Sequence, residues 1–341
     1  MKSMIKKYDI SNQIEVLINS YQQIEYTDTN TYNIYSEDFK NIDKIIICGM
    51  GGSAIGGDLF SNMFQNEINI PIFVNRYYHL PKFVSENTLV IISSYSGNTE
   101  ETTTAFKEAI DKKCKIIAFS TGGKVEEICT NNGFSHIKLL KGFHPRFALY
   151  LILFTLIKIF SKINVIKDQT DLLNQSIALI KSKGEEYNKE NSFPEVIAKN
   201  MLGYMPIIYA TSDFNNSVGS RLKGQFNENS KLHAFVNFFP EMNHNEIIGW
   251  ETYSENLAKL KIIFLTDNSM NERVKKRFQI FEELVSKNVE IIKLESNQND
   301  FKLRLLDLIY LGDWITYYLA IYREQDPAEI DNINYLKNAL S

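Results

Sequence analysis

The sequence predicts an α/β protein of two lobes, each a mostly parallel sheet flanked by helices. Short, apolar, β-branched runs alternate with longer helix-like segments, which is the pattern of parallel strands joined by helical crossovers. The same alternation then starts again in the second half of the chain. No short-period repeat or low-complexity tract competes with that reading.

In the first half the strand candidates are Lys44–Cys48, Pro71–Asn75, Thr88–Ser93, Lys115–Phe119 and Ser135–Leu139. Helices are predicted between them, near Ala54–Gln65, Thr99–Lys112 and Lys124–Asn132. One short amphipathic helix, about Ser11 to Tyr26, precedes the first strand, and a long helix follows Pro145. The greasiest stretch, Phe147 to Phe160, carries Lys158 and falls short of the ~20 residues of a membrane span, so it reads as a buried helix. Helical and polar sequence from about Ser161 to Asn200 joins the halves. The second half offers strands at Met205–Ala210, His233–Phe238, Lys261–Thr266 and Val289–Leu294. Its helix candidates are Ser217–Phe226, Asn271–Lys287 and Lys302–Arg323. The expected division is residues 1–160 and residues 161–341, the latter with a C-terminal helix.

Composition narrows the function. The chain has 341 residues, 23% charged and 44% hydrophobic, ordinary for a water-soluble globular protein that buries a sizeable core. The net charge is −4 and neither half is strongly basic, so a nucleic-acid partner has no electrostatic footprint. The three cysteines, Cys48, Cys114 and Cys129, suggest neither a disulfide framework nor a zinc knuckle. The five histidines show no metal spacing, and His136 and His233 fall in predicted strands, where a structural role is expected. No metal is therefore expected. The opening residues lack the apolar core of a signal peptide, and a cytoplasmic protein is expected.

In open parallel sheets, ligands bind beyond the carboxyl ends of the strands. The first strand runs into Gly49-Met50-Gly51-Gly52-Ser53-Ala54-Ile55-Gly56-Gly57. Glycines there let backbone approach an anion, and the following helix presents free N–H groups. It is not a P-loop, because no Lys-Ser or Lys-Thr follows. Gly49, Gly51 and Ala54 match a dinucleotide turn; no acidic residue ends the second strand, but Arg76 could serve NADP. A tight turn without a ligand is the third reading. The third strand runs into Ser94-Tyr95-Ser96-Gly97-Asn98-Thr99-Glu100-Glu101-Thr102. An ordinary helix cap explains one hydroxyl, not Ser94, Ser96 and Thr99 clustered around a glycine, so a phosphate site is expected here. The comparable strand of the second half continues as Thr266-Asp267-Asn268. Asp267 would repel a phosphate, so one phosphate site per chain is expected.

A second constellation offers acid–base chemistry. Asn227-Glu228-Asn229-Ser230-Lys231 is followed, after one strand, by Pro240-Glu241-Met242-Asn243-His244-Asn245-Glu246. Moving a proton between adjacent carbons of a hydroxy-aldehyde needs a carboxylate or imidazole base, and opening a sugar ring needs a second shuttle. Glu228 and His244 fit these roles. They would equally serve as a solvated helix end and a cap. Arg146, after His144-Pro145, and Lys337, in the final amphipathic stretch, are cations that could stabilise an enediolate or help ring opening.

Taken in order, these blocks, with the tail Gly312-Asp313-Trp314, Asp326-Pro327 and Leu336-Lys337, resemble the bifunctional phosphoglucose/phosphomannose isomerase family, built from two sugar-isomerase (SIS) domains. The resemblance covers nearly the whole chain and displaces the dinucleotide reading. It implies that Gly51, Gly52 and Ser53 form a loop beside the sugar and that Ser94, Ser96 and Thr99 hold the phosphate. It implies that Arg146 stabilises the enediolate and that Glu228 moves the proton between C1 and C2. His244 would assist ring opening from the partner subunit of a homodimer, and Lys337 would approach the ring oxygen. No metal or organic cofactor is implied. The expected function is an aldose–ketose isomerase interconverting glucose 6-phosphate and/or mannose 6-phosphate with fructose 6-phosphate through a cis-enediol. The alternatives are a non-enzymatic SIS-domain sugar-phosphate sensor, an isomerase of another sugar phosphate, and an NADP-dependent reductase.

Overall fold

The computed structural model describes residues 1–213 and 215–340. Helices α1 (Lys2–Tyr8), α2 (Gln13–Ile18) and α3 (Tyr21–Thr29) open the chain. Then follow β1 (Lys44–Cys48), α4 (Gly51–Phe64), β2 (Ile72–Asn75), β3 (Thr88–Ser93), α5 (Glu100–Asp111), β4 (Lys115–Ser120), α6 (Gly123–Asn132) and β5 (Ser135–Lys138). Helices α7 (Leu149–Lys162), α8 (Thr170–Tyr187) and α9 (Phe193–Asn200) come next. The second alternation is β6 (Met205–Thr211), α10 (Asn216–Glu228), β7 (Phe235–Phe239), β8 (Leu260–Leu265), α11 (Glu272–Val285) and β9 (Ile291–Leu294). Helices α12 (Phe301–Tyr322) and α13 (Asp331–Leu340) close it. The fold is α/β, with parallel sheets flanked by helices as expected.

The chain divides into one unit of residues 19–178 and another made of residues 1–18 with residues 179–341. This differs from a division after residue 160 at both ends. The boundary falls inside α8, and the first helices belong with the C-terminal half. The physical reason for the second difference is a buried carboxylate. Asp9 accepts from the backbone N–H groups of Gln13 at 2.7 Å and Ile14 at 2.9 Å, and from Tyr317 Oη on α12 at 2.8 Å. Tyr310 Oη, about two helical turns earlier, donates to the Leu17 carbonyl at 2.7 Å. The single amphipathic helix expected over Ser11–Tyr26 is thereby two, α2 on α12 and α3 on α7, with α1 before them.

Residues 19–178 form a parallel five-stranded sheet of order β2-β1-β3-β4-β5. Its central strands are buried along their length, which is why they read as continuous apolar runs rather than alternating ones. Helix α7, the greasy stretch, is buried against α3 and α4, with Phe60 and Phe160 stacked 4.5 Å apart.

The other unit carries a parallel four-stranded sheet of order β7-β6-β8-β9. Helix α12 is buried from Leu303 to Ile321 and packs against α9 and α10. Its apolar character all round is that of a core helix. Among the described residues no helix is long and apolar enough to cross a membrane. Inside this packing, the Arg221 guanidinium of α10 lies 3.0 Å from the Asp313 carboxylate of α12, with side chains only 5% and 3% exposed. Gln225 Nε2 donates to the same carboxylate oxygen at 2.7 Å.

Removing one partner of a buried ion pair strands the other charge, at a cost of about 3–5 kcal/mol. Asp313→Ala should therefore lower the urea midpoint of the unit containing α10 and α12 markedly. A parental midpoint would show that other groups meet the Arg221 charge.

Candidate functional site

In residues 19–178, β2 and β3 lie on opposite sides of β1. The crossovers after β1 and β3 therefore diverge, leaving a crevice at the carboxyl ends of these two strands. Both glycine- and serine-rich loops leave from there, Gly49–Met50 into α4 and Ser94–Thr99 into α5. They are tied together. Tyr95 N donates to Ser53 Oγ at 3.3 Å, and Ser93 Oγ donates to the Ser53 carbonyl at 3.4 Å.

Thr99 is the residue preceding the first turn of α5, but its side chain makes no capping bond. Its Oγ1 instead lies 3.1 Å from Ser94 Oγ, which also accepts from Gly97 N at 3.1 Å. Ser96 Oγ accepts from Asn98 N at 3.2 Å. Ser94 is buried, Thr99 is half-buried and Ser96 is exposed. The result is a set of hydroxyls beside an uncapped helix N-terminus, suited to an anion. Gly97 has φ +73°, and a Cβ there would stand 1.7 Å from the Gly122 carbonyl oxygen. The turn between β4 and α6 closes over the loop. Val125 N donates to the Gly97 carbonyl at 3.0 Å and Thr121 N to the Tyr95 carbonyl at 2.9 Å.

Arg146 is brought to the same loops. A Cβ on Gly52 would lie 2.7 Å from the Pro145 carbonyl oxygen and 3.5 Å from Arg146 Cα, so only glycine lets these backbones meet. Arg146 sits in the 3₁₀ turn Pro145–Phe147, is 3% exposed, and has its guanidinium over the Phe147 ring. Two residues that sequence reasoning assigned no role hold this turn and the segment leading into it. Tyr95 Oη donates to the Leu140 carbonyl at 3.1 Å and accepts from Phe143 N at 2.9 Å. Burial pushes the Tyr95 hydroxyl pKa up, so it stays a phenol able to do both. Gln23 Nε2 donates to the Phe147 carbonyl at 2.7 Å, and its Oε1 accepts from Leu151 N at 3.1 Å. Nothing in the local sequence marks Gln23, because its partners lie more than a hundred residues away. Arg76, considered for a 2′-phosphate, is ion-paired with Asp58.

Glu228 is the last residue of α10 and lines a cavity of about 580 Å³, with Asn227, Lys231, His233, Gln325 and Asp331 among its walls. Lys231, at φ +52°, directs its ammonium at backbone carbonyls. It donates to the Glu228 carbonyl at 2.7 Å and the Asp326 carbonyl at 2.8 Å. Ser230 Oγ donates to the Thr316 carbonyl at 2.7 Å and Asn229 Nδ2 to Thr316 Oγ1 at 3.1 Å. The end of α10, and with it Glu228, is thus fastened to α12 and the turn after it. His233 is not in a strand. It precedes β7, is exposed, and lines the same cavity, whereas His136 is in β5 with Nε2 2.8 Å from Ser120 Oγ.

His244 is exposed in the 3₁₀ turn Glu241–His244, and Lys337 is exposed in the last turn of α13. Neither lines the Glu228 cavity. Gly51, Gly52, Ser53, Ser94, Ser96, Thr99 and Arg146 are therefore gathered in one unit, while Glu228, His244 and Lys337 belong to the other and are spread over separate elements. Among the described residues no group of three or more His, Cys, Asp or Glu side chains could hold a metal ion.

The second unit has its own turn at the end of β8, the counterpart of Ser94–Thr99. Asp267 is there, as expected, but it is not an open negative charge. Its carboxylate accepts from Ser269 N and Ser269 Oγ, each at 2.8 Å, and from Arg304 Nε at 2.7 Å. An internal carboxylate already takes the hydroxyl, backbone and cationic donors that an incoming anion would need.

The family model described as the bacterial phospho-glucose isomerase C-terminal SIS domain matches residues 190–340. A bifunctional phosphoglucose/phosphomannose isomerase of Caldicellulosiruptor bescii is 38% identical over 314 residues, 91% of this chain and 92% of the relative. One from Aquifex aeolicus is 34% identical over 94% of this chain and 95% of its own. Among solved structures, the C-terminal domain of glucosamine-fructose-6-phosphate aminotransferase from Francisella tularensis superposes with TM-score 0.71. That match covers 95% of this chain and 98% of the other at 15% identity, a likeness of fold alone.

A side chain in the left-handed region costs of the order of 1–3 kcal/mol before any clash is counted. Gly97→Ala should therefore open the loop. Hydrogen exchange at the Gly122–Val125 and Tyr95–Asn98 amides should quicken at least about 10-fold while β1 keeps its protection. Unchanged exchange would mean that the Gly122 contact does not hold the loop.

Proposed function

The chain belongs to the bifunctional phosphoglucose/phosphomannose isomerase family, and from that membership we propose that it interconverts fructose 6-phosphate with glucose 6-phosphate and mannose 6-phosphate through a cis-enediol. It is an enzyme, an aldose–ketose isomerase of sugar phosphates, which sets aside the sensor and reductase readings. The observation that carries the finer proposal is the Ser94–Thr99 hydroxyl pair beside the uncapped first turn of α5, with buried Arg146 reached through Gly52.

In this reading Ser94, Ser96 and Thr99 take the substrate phosphate. The Gly51–Ser53 loop lies along the sugar. Glu228 removes the proton at C2 of the opened aldose. The C2–H electron pair forms the C1–C2 double bond, and the C1 carbonyl oxygen becomes the enediolate oxygen. Arg146 offsets that charge. The C2 hydroxyl proton then passes to the C1 oxygen, and Glu228 returns the carbon-bound proton to C1 as the C2 oxygen becomes the carbonyl. One carbon is reduced and its neighbour oxidised, so no external electron carrier enters the balance. His244, contributed by the partner in a homodimer, assists ring opening, and Lys337 approaches the ring oxygen. A cytoplasmic setting is part of the same proposal.

The test is proton NMR of fructose 6-phosphate with the purified protein in deuterated water. Both aldose phosphates should appear with deuterium at C2; a single epimer would reduce the claim to that sugar, and no exchange would overturn the enediol route. A general base contributes about 10²–10⁴-fold. Glu228→Gln should lose turnover on that scale with KM little changed, since the base acts in the transition state. Normal turnover would remove Glu228 from the mechanism. Thr99→Val should instead raise KM with a smaller effect on kcat.

A further inference from the structure

The segment that carries His244 has little structure of its own. It consists of the short 3₁₀ turns Glu241–His244 and Glu246–Trp250. Such turns have poor hydrogen-bond geometry and rarely hold a position unaided. Where the imidazole is presented must therefore be set by tertiary anchors.

Two anchors flank it. Before it, Met242 is fully buried in a core cluster with Phe239, Phe278 and Phe281. After it, Glu246 reaches back to the sheet. Its Oε1 accepts from Tyr209 Oη at 2.5 Å and its Oε2 from Asn237 Nδ2 at 2.5 Å. Tyr209 on β6 and Asn237 on β7 are register partners, so one carboxylate spans two neighbouring strands. The donors are fixed in their roles. Trp250 Nε1 donates to Tyr209 Oη at 2.8 Å, which leaves the phenol proton for Glu246. Asn237 Oδ1 accepts from Phe238 N at 2.8 Å, which turns its amide N–H toward Glu246. Both partners present donors, so the site calls for an acceptor at each oxygen, which a carboxylate supplies and an amide does not. Such charge-assisted bonds are the stronger ones.

We propose that Glu246 is a positioning residue for His244. It clamps the middle of the 240–250 segment to β6 and β7, so that the imidazole two residues earlier is held where ring opening needs it. The proposal rests on the assignment of His244 to that step. Glu246 itself does not touch substrate.

A double-mutant cycle separates positioning from general damage. Glu246→Gln should lower kcat on cyclic glucose 6-phosphate about 10-fold, the scale of a modest misplacement, with KM within about two-fold. Combined with His244→Ala, it should cost nothing beyond His244→Ala alone, because there is no imidazole left to place. Tyr209→Phe, which keeps the buried ring and removes one bond to Glu246 together with the bond from Trp250, should show a smaller loss absorbed in the same way. It carries the test should Glu246→Gln not fold, as judged by circular dichroism and thermal midpoint. A parental kcat in Glu246→Gln beside a slow His244→Ala would overturn the proposal, as would losses that multiply in the double variant. A parental kcat in His244→Ala would remove the assignment of His244, and the proposal with it.

Discussion

The carbonyl oxygen of Gly122 stands where a β-carbon at position 97 would have to be. Most of the Ser94–Thr99 loop's arrangement follows from this one contact. Because only glycine fits beneath that contact, the turn after β4 and the first turn of α6 can bond the Tyr95 and Gly97 carbonyls. The loop is then held from outside, and its own side chains are released for other work. Thr99, at the cap position of α5, makes no capping bond and pairs with Ser94. Strand order supplies the rest. With β1 between β2 and β3, the loops after β1 and β3 emerge side by side.

The two units use one architecture to opposite electrostatic ends. At the end of β3 the hydroxyls of Ser94 and Thr99 stand beside a helix N-terminus that no side chain caps. At the end of β8 the same kind of turn satisfies itself with Asp267 and Arg304, both buried. The second unit instead presents acid–base groups at places where its backbone is irregular. Glu228 ends a helix whose last turn is fastened by Lys231 and Ser230, and His244 rides on short 3₁₀ turns. Irregular backbone is easy to aim but must be held, and in both cases polar side chains from distant elements do the holding.

Strands and their order along the chain were legible because buried parallel strands are written as apolar β-branched runs. The Ser94–Thr99 cluster was legible because hydroxyls and a glycine at one strand end have few other uses. His233 was misplaced by the same logic. Its neighbours look like a strand, but pairing with β6 begins only at Phe235. The N-terminal helices were misread because amphipathicity tells that a face is buried and not against what.

What the sequence by itself determined is therefore the local chemistry: which segments are strands, which turns carry glycine and hydroxyls, and which residue types suit proton transfer. Tertiary structure alone decided which of these are held and by whom. Gln23 bonds Phe147 and Leu151, Tyr95 pins the approach to Arg146, Asp9 draws the first helices onto α12, and Glu246 bridges Tyr209 and Asn237. The physical reason is that hydrogen bonds between residues far apart in the chain leave no periodicity or spacing to read. Each becomes specific only when burial removes water as the competing partner.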